Sequence, residues 1–407
     1  MEKMCDVAII GAGPYGLSLA AHLSATGISV RIFGKPLSTW RDHMPKGMKL
    51  KSEGFASNLS APDKDSTLKA YCTERGLDYA DRGLPVRLDT FIAYADWFQE
   101  RFVSSLETKN VTQLERGVGG FRLTLEDGHF CYARQIVLAV GITWFKHIPS
   151  ELSVLPQTHV SHSFDHHDCS NFAGRDLVVL GAGASAIDTA IAAHEAGASV
   201  RVVARADAIV FHEPPNDGDT SLLQQVQYPT SGIGPGWRSF IYANAPLLFY
   251  HLPESLRLRI VSRHLGPAPG WFTRERFVGH IPTIMGHSLK SARMDGGHVV
   301  LDIADDKENI QSITADHVIA ATGYRPALRK LTFLDAKLRD DIDALNDAPI
   351  LSSDFETSVD GLFAVGPMAA NNFGPLMRFM VGAEFVAPRL ATHLLRKIGA
   401  HAVAKAA

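Results

Sequence analysis

At 407 residues the chain exceeds one ordinary hydrophobic core, and two domains are expected. Hydrophobic residues make up 46% and charged residues 20%, which excludes a disordered or fibrous chain. A formal net charge of −3 gives no electrostatic ground for nucleic acid or an anionic membrane as partner.

The N-terminal residues Met1 to Asp6 run straight into the apolar strand Val7-Ala8-Ile9-Ile10, so no signal peptide is expected and a cytoplasmic location is the default. The glycine motif Gly11-Ala12-Gly13-Pro14-Tyr15-Gly16 follows at once. Residues without a Cβ let a strand turn tightly into a helix and let backbone N–H groups touch a pyrophosphate, which the helix N-terminus also favours. Context supports a dinucleotide fingerprint over a plain glycine turn: Leu17, Ala20, Ala21 and Leu23 share a helical face that ends at Gly27, and the strand Ile28–Phe33 comes next.

A loop-rich stretch with Pro36, Pro45, Gly47, Gly54 and Pro62 precedes an expected helix over Phe91–Phe102. Two short strands flank Gly119-Gly120, and Gln135 to Gly141 reads as a buried parallel strand. From Ile148 to Asn171 the chain is rich in Pro, Ser and His and reads as a connection.

A second fingerprint, Gly181-Ala182-Gly183-Ala184-Ser185-Ala186, enters from Leu177–Leu180. Ile187, Ala190, Ile191 and His194 repeat the helical spacing to Gly197, and Ser199–Ala204 completes another β-α-β unit. Ala204 stands where an NAD enzyme carries an acid, and Arg205 follows it. A guanidinium pairs with a 2′-phosphate in bidentate fashion, so NADPH is favoured over NADH; the alternative is a solvated surface arginine.

Between about 211 and 287 the pattern breaks into Pro- and Gly-rich loops and short helices. Trp237, Phe240, Tyr242, Phe249, Tyr250 and Trp271 suit an aromatic pocket or a dimer contact, and a structural cap is equally compatible. Alternation resumes at His298–Ile303, Asp316 to Gly323 reads as a buried strand, and Gly361–Gly366 leads through Asn371–Pro375 into a last helix with Pro375 in its first turn. The expected fold is α/β, with two Rossmann-like dinucleotide-binding domains. Residues 1–150 and 330–407 form the first, discontinuous one; residues 151–329 form the second, with the insertion at about 211–287.

Cys5, Cys72, Cys131 and Cys169 are scattered without a C-x-x-C pair, which points to a reducing compartment and away from a redox disulfide. The longest apolar stretch, Ala243–Leu252 apart from Asn244 and His251, is too short to span a membrane. His159, His162, His166, His167 and Asp168 do not match a structural zinc spacing, so no metal is expected; His162 reads as structural or as facing the second nucleotide.

Taken together, the two fingerprints and Asp316-His-Val-Ile-Ala-Ala-Thr322-Gly323-Tyr324 resemble the two-dinucleotide flavoprotein monooxygenases, the flavin-containing and amine N-hydroxylating group. The segment His162-Ser163 ahead of Phe172-Ala-Gly174-Arg175 resembles that group's lead-in to the NADPH domain. The chain departs from the pattern in several places. Gly34, followed by Lys35, replaces the acid that holds the FAD ribose, and Gly366-Pro367 replaces a closing Gly-Asp. Of the F-x-G-x3-H sequence only His162 is kept, with Pro156 and Thr158 at the other places, which weakens a Baeyer–Villiger assignment.

The resemblance implies that NADPH reduces FAD, that a C4a-(hydro)peroxyflavin forms with O2, and that oxygen passes to nitrogen or sulfur of a small molecule. It places Asn58 beside the flavin as the catalytic amide, with Trp40 and Arg41 bordering the ring and Asn372, Phe373 and Gly374 aiming the last helix at its O2 edge. Further cofactor contacts are expected at Gly11, Gly13, Pro14, Tyr15, Gly16, Gly34, Lys35, Val111, Gly141, Gly366 and Pro367. On the second nucleotide they fall at Gly181, Gly183, Ala184, Ser185, Arg205, Thr322, Gly323 and Tyr324. The competing readings are a flavoprotein reductase or electron carrier without a redox disulfide, a carbon hydroxylase, and a non-catalytic nucleotide sensor. Expected partners are a small-molecule substrate and O2, with no nucleic acid; a homo-oligomer stays open.

Overall fold

The computed structural model describes residues 4–214, 226–264, 266 and 268–406. Its organising element is a parallel strand, β1 (Cys5–Ile10), whose Val7, Ala8 and Ile9 are fully buried. A strand covered on both faces is apolar at consecutive positions rather than at alternate ones, as this one is. Helix α1 (Pro14–Ser24) follows directly, with Pro14 in the first turn, where the missing N–H has no intrahelical partner to lose.

Strands β2 (Val30–Phe33), β3 (Leu106–Glu107), β4 (Val111–Gly117), β5 (Gly120–Leu125) and β6 (Phe130–Leu138) complete a sheet of order β3-β2-β1-β6-β5-β4. β1 pairs with β2 and β6 in parallel, whereas β4-β5 and β5-β6 are antiparallel. The late strand Leu362–Ala364 also pairs with β6 in parallel, so the end of the chain returns to the first sheet. Helices α2 (Ser38–His43), α3 (Leu68–Arg75) and α4 (Leu88–Phe102) lie between β2 and β3 in the chain, and the C-terminal helix Ala383–Ala406 packs on α1.

A second sheet is parallel throughout. It comprises β7 (Val160–His162), β8 (Asp176–Leu180), β9 (Ser199–Val203) and the strands Thr283–Ile284 and His317–Ala320. Helix α5 (Ala184–Glu195) joins β8 to β9. An antiparallel three-stranded sheet, Ser288–Asp295, His298–Ala304 and Ile310–Ala315, stands beside it. The insertion supplies short helices at Trp237–Asn244, Pro246–Tyr250, Glu254–Arg263 and Arg274–Phe277. The α/β class and the paired parallel units agree with the sequence reading.

One element differs. The last helix starts at Ala383 instead of Pro375, and 3-10 turns occupy Pro375–Arg378 and Met380–Gly382. The Tyr15 hydroxyl sits on this turn, sharing its one proton between the carbonyls of Phe379 (2.8 Å) and Met377 (3.1 Å). A Cβ on Gly382 would lie 2.2 Å from that hydroxyl, so the ring also depends on glycine there.

Candidate functional site

The two glycine loops have the same backbone geometry. Gly11 has φ +113° and Gly181 has φ +136°, and a Cβ on either would collide with a carbonyl, Ala139 O at 2.3 Å or Ala321 O at 2.4 Å. Gly11 N–H donates to Phe33 O (2.8 Å) and Gly181 N–H to Val203 O (2.9 Å), so each loop is tied to the next strand in the same way. The middle glycines differ from these. A Cβ on Gly13 or Gly183 would meet nothing within 4 Å, because both face open space at a helix N-terminus. Bare backbone beside a helix N-terminus and free of side-chain cover is a cradle for an anion.

Both cradles open into a single cleft of about 3220 Å³. Of the sequence-predicted residues, Gly11, Gly13, Pro14, Tyr15, Trp40, Gly141 and Pro367 line it from the first unit. Gly181, Gly183, Ala184, Ser185, Arg205, Thr322, Gly323 and Tyr324 line it from the second. Arg205 is exposed just past β9, where a nucleotide's 2′ substituent would arrive.

The Thr322–Tyr324 segment clasps the connection between the units. Thr322 Oγ1 donates to His147 O, His147 N–H donates to Gly323 O (3.0 Å), and Arg325 N–H donates to Phe145 O (2.8 Å). Buried His162 supports this clasp: Nε2–H donates to Gly323 O (3.0 Å) while Nδ1 accepts from Phe164 N–H (3.1 Å). Burial depresses its pKa to about 4, which favours the neutral ring that these two hydrogen bonds require. The other histidines of that cluster are taken up separately, His166 by Ser161 Oγ (2.6 Å) and His167 by Met44 O (2.6 Å). Among the described residues no group of three or more His, Cys, Asp or Glu is arranged to hold a metal.

Ten expected contacts do not line the cleft. Asn58 is the main correction: its Nδ2 donates to Phe55 O (2.9 Å) and its Oδ1 accepts from Leu68 N–H (3.0 Å). The amide joins its loop to α3, a local side-chain-to-backbone use typical of Asn, and also hydrogen-bonds the Glu384 carboxyl. Arg41 turns to Asp96 and the Pro36 carbonyl, and Lys35 to Asp42 at 2.8 Å. Gly34 (φ +125°) packs behind Ala12, and Gly16 presses on the Gly11 carbonyl, where a Cβ would come within 1.9 Å. Val111 opens β4, opposite Leu125 at the sheet margin.

Gly366 lies under the Tyr15 ring. Asn372 is buried and holds Pro349 O (2.9 Å) and Leu351 N–H (3.1 Å). Phe373 is a core ring against Phe355, and Gly374 abuts Phe249. Asn372 and Phe373 end a short helix, Ala370–Phe373, separate from the last helix at Ala383, and its first two residues, Ala370 and Asn371, are the ones that line the cleft.

The structure adds residues that the sequence reading missed. Lys51 Nζ pairs with Asp188 Oδ2 at 2.6 Å, and the two side chains are 7% and 9% exposed. Lys51 comes from the loop after α2 and Asp188 from α5, so the pair bridges the two units inside the cleft. Phe272 of the insertion covers the ammonium at 5.3 Å. Burial pushes the Asp188 carboxyl up and Lys51 opposes that shift. A lone charged residue in the run Ala184–Ala193, otherwise Ala, Ile, Ser and Thr, was the available signal. Arg378 lines the cleft as well, and donates to His264 O at 2.6 Å. No cysteine lines the cleft, and burial raises the thiols of Cys5 to about 12 and Cys169 to about 11.

Comparison with known proteins agrees with this architecture. In fold the chain is similar to an ornithine N-hydroxylase from Kutzneria sp. 744, with TM-score 0.77 at 15% identity over 97% of this chain and 100% of that one. It is similar to the ornithine hydroxylase of Pseudomonas aeruginosa, with TM-score 0.75 at 17% identity and the same coverage. Among curated sequences it is 27% identical over 217 residues to a ferredoxin–NADP reductase of Streptococcus pyogenes. That match takes in 52% of this chain and 58% of the reductase, so the chain spans little more than half the length of this relative. Among the described residues no helix is long and apolar enough to cross a membrane. The model of the pyridine nucleotide-disulphide oxidoreductases matches residues 8–217, more than half of the chain, and takes in both glycine loops. The chain belongs to the pyridine nucleotide-disulphide oxidoreductase family.

Proposed function

We propose that this chain is an FAD-dependent, NADPH- and O2-using monooxygenase that oxygenates a small molecule at nitrogen or sulfur. The observation that carries this reading is the opening of two equivalent glycine cradles into one cleft. The cradles fit two dinucleotides, since the space at Gly13 and Gly183 is what a side chain would otherwise fill. The Gly11–Gly13 loop and the N-terminus of α1 would hold the FAD pyrophosphate. The Gly181–Ser185 loop and α5 would hold that of NADPH, with Arg205 on its 2′-phosphate.

When bound, FAD supplies hydride acceptance and the activation of dioxygen. The chain's own residues would position and enclose. Tyr15 locks α1 to the Met377–Phe379 turn, Lys51 and Asp188 hold the units in register, and the Thr322–Tyr324 clasp fixes the connection. The absence of cysteine from the cleft lining disfavours a disulfide reductase. The fold likeness to two N-hydroxylases supports nitrogen as the oxidised atom.

A second reading, NADPH-dependent reduction of ferredoxin, is supported by the curated relative of that name. Purified protein loaded with FAD separates the two. Turnover with NADPH under 18O2 against a panel of primary amines and thioethers is expected to place one labelled oxygen in the product. Reduction of ferredoxin with no labelled product from any panel member would replace the monooxygenase reading by the reductase one.

A further inference from the structure

The cleft treats its two enclosed cations differently. Lys51 is matched by Asp188. Arg378, half-buried in the wall between the C-terminal segment and the insertion, forms no ion pair among the described residues. Among the described residues its side chain donates to the carbonyl of His264, just past the end of the helix Glu254–Arg263. A guanidinium carries five N–H donors, so most of its donor capacity is left over. Burial lowers its pKa, and His264 is depressed by its own burial first and by the Arg378 charge second. Leu258, Val261, Phe379 and Met380 line the cleft with it and offer apolar side chains. An enclosed positive charge in an apolar wall is a cost unless a partner arrives.

We infer that Arg378 anchors a carboxylate carried by the small molecule that this cleft oxidises. A planar guanidinium matches a carboxylate through two parallel N–H···O bonds, and Arg263, the next guanidinium along this wall, is exposed rather than enclosed, so one enclosed cation faces one anionic charge. This substrate class rests on the monooxygenase reading, but the anchor itself is tested by binding alone.

FAD-loaded protein is titrated with matched pairs that differ only in charge: 5-aminopentanoate against 5-aminopentanamide, and 4-(methylthio)butanoate against its amide. Dissociation constants are read by equilibrium dialysis. In at least one pair the acid is expected to bind about tenfold more tightly or better, the usual worth of a charge-assisted bidentate contact. R378Q is expected to abolish that preference and R378K to retain part of it, with FAD content and melting temperature checking the fold. Inorganic phosphate is expected to displace the bound acid poorly. Equal binding of acid and amide in every pair, or a preference that survives in R378Q, overturns the inference; displacement by phosphate at equal concentration overturns the choice of carboxylate. If R378Q fails to fold, the wild type and R378K decide. A protein that prefers acids yet gives no labelled product under 18O2 retains the anchor and loses the monooxygenase reading.

Discussion

Lys51 Nζ lies 2.6 Å from Asp188 Oδ2, and this ion pair joins a loop of the first nucleotide unit to the first helix of the second. Buried pairs contribute little net stability but are costly to break, since the remaining charge keeps no partner. K51M should therefore destabilise the fold by about 3–5 kcal/mol, whereas the double variant K51M/D188L recovers most of that loss. Urea unfolding of the two single variants and the double variant checks the cycle. Additive losses would mean that the pair is not coupled.

Gly11 and Gly13 separate folding from binding. Gly11→Ala meets the Ala139 carbonyl and a positive φ, so it should lower the melting temperature and the yield of folded protein. Gly13→Ala meets only open space, so it should fold normally and lose FAD affinity by tenfold or more. Calorimetry and FAD titration read the two effects. An apoprotein of Gly13→Ala that melts like that of Gly11→Ala would contradict the cradle.

Arg205 is proposed to set the choice of nicotinamide nucleotide. Replacing it by Ala is expected to raise KM for NADPH by about tenfold to a hundredfold, the worth of one charge-assisted contact, and to leave KM for NADH nearly unchanged. Steady-state kinetics with both nucleotides measures it. An equal rise for both would place Arg205 in the fold or on the shared pyrophosphate.

Asn58 holds a loop. Asn58→Ala removes the acceptor for Leu68 N–H and the donor to Phe55 O, and should cost about 1–3 kcal/mol of stability. Turnover per bound FAD should fall far less. A thousandfold loss of kcat in a stable variant would return Asn58 to the catalytic role that the sequence suggested.

His162 and His317 make stability depend on acid. Burial depresses both to about 4 from an ordinary value of 6.5. Between those values the unfolded chain binds protons that the folded one refuses, so stability is complete above about pH 7 and is lost as pH falls toward 4. The urea midpoint should drop between pH 7.5 and pH 5, and His317→Gln should reduce the slope. A midpoint that rises on acidification would refute the sign.

The fold was largely legible because it is written locally. The apolar run Val7–Ile10, the glycine spacing from Gly11 and their repetition at Leu177–Gly181 are patterns of neighbours in the chain, and strand, turn and helix follow from them. Arg205 could be placed on the cleft from the sequence because it stands at a fixed step after β9. Asn58 and Asn372 were misplaced for the opposite reason. An Asn side chain bonds whatever backbone the fold brings near, and for Asn372 these were the Pro349 carbonyl and the Leu351 N–H, 23 and 21 residues away. Nor does the chain after Pro375 show locally that Tyr15, more than 360 residues earlier, hydrogen-bonds the turn ahead of its helix. The amino-acid sequence by itself determined two glycine cradles and their order. Only the tertiary structure decided that they share one cleft, that Lys51 meets Asp188 across it, and that Arg378 lies there with no acid beside it among the described residues, since burial and charge pairing between distant segments arise only once the chain has closed on itself.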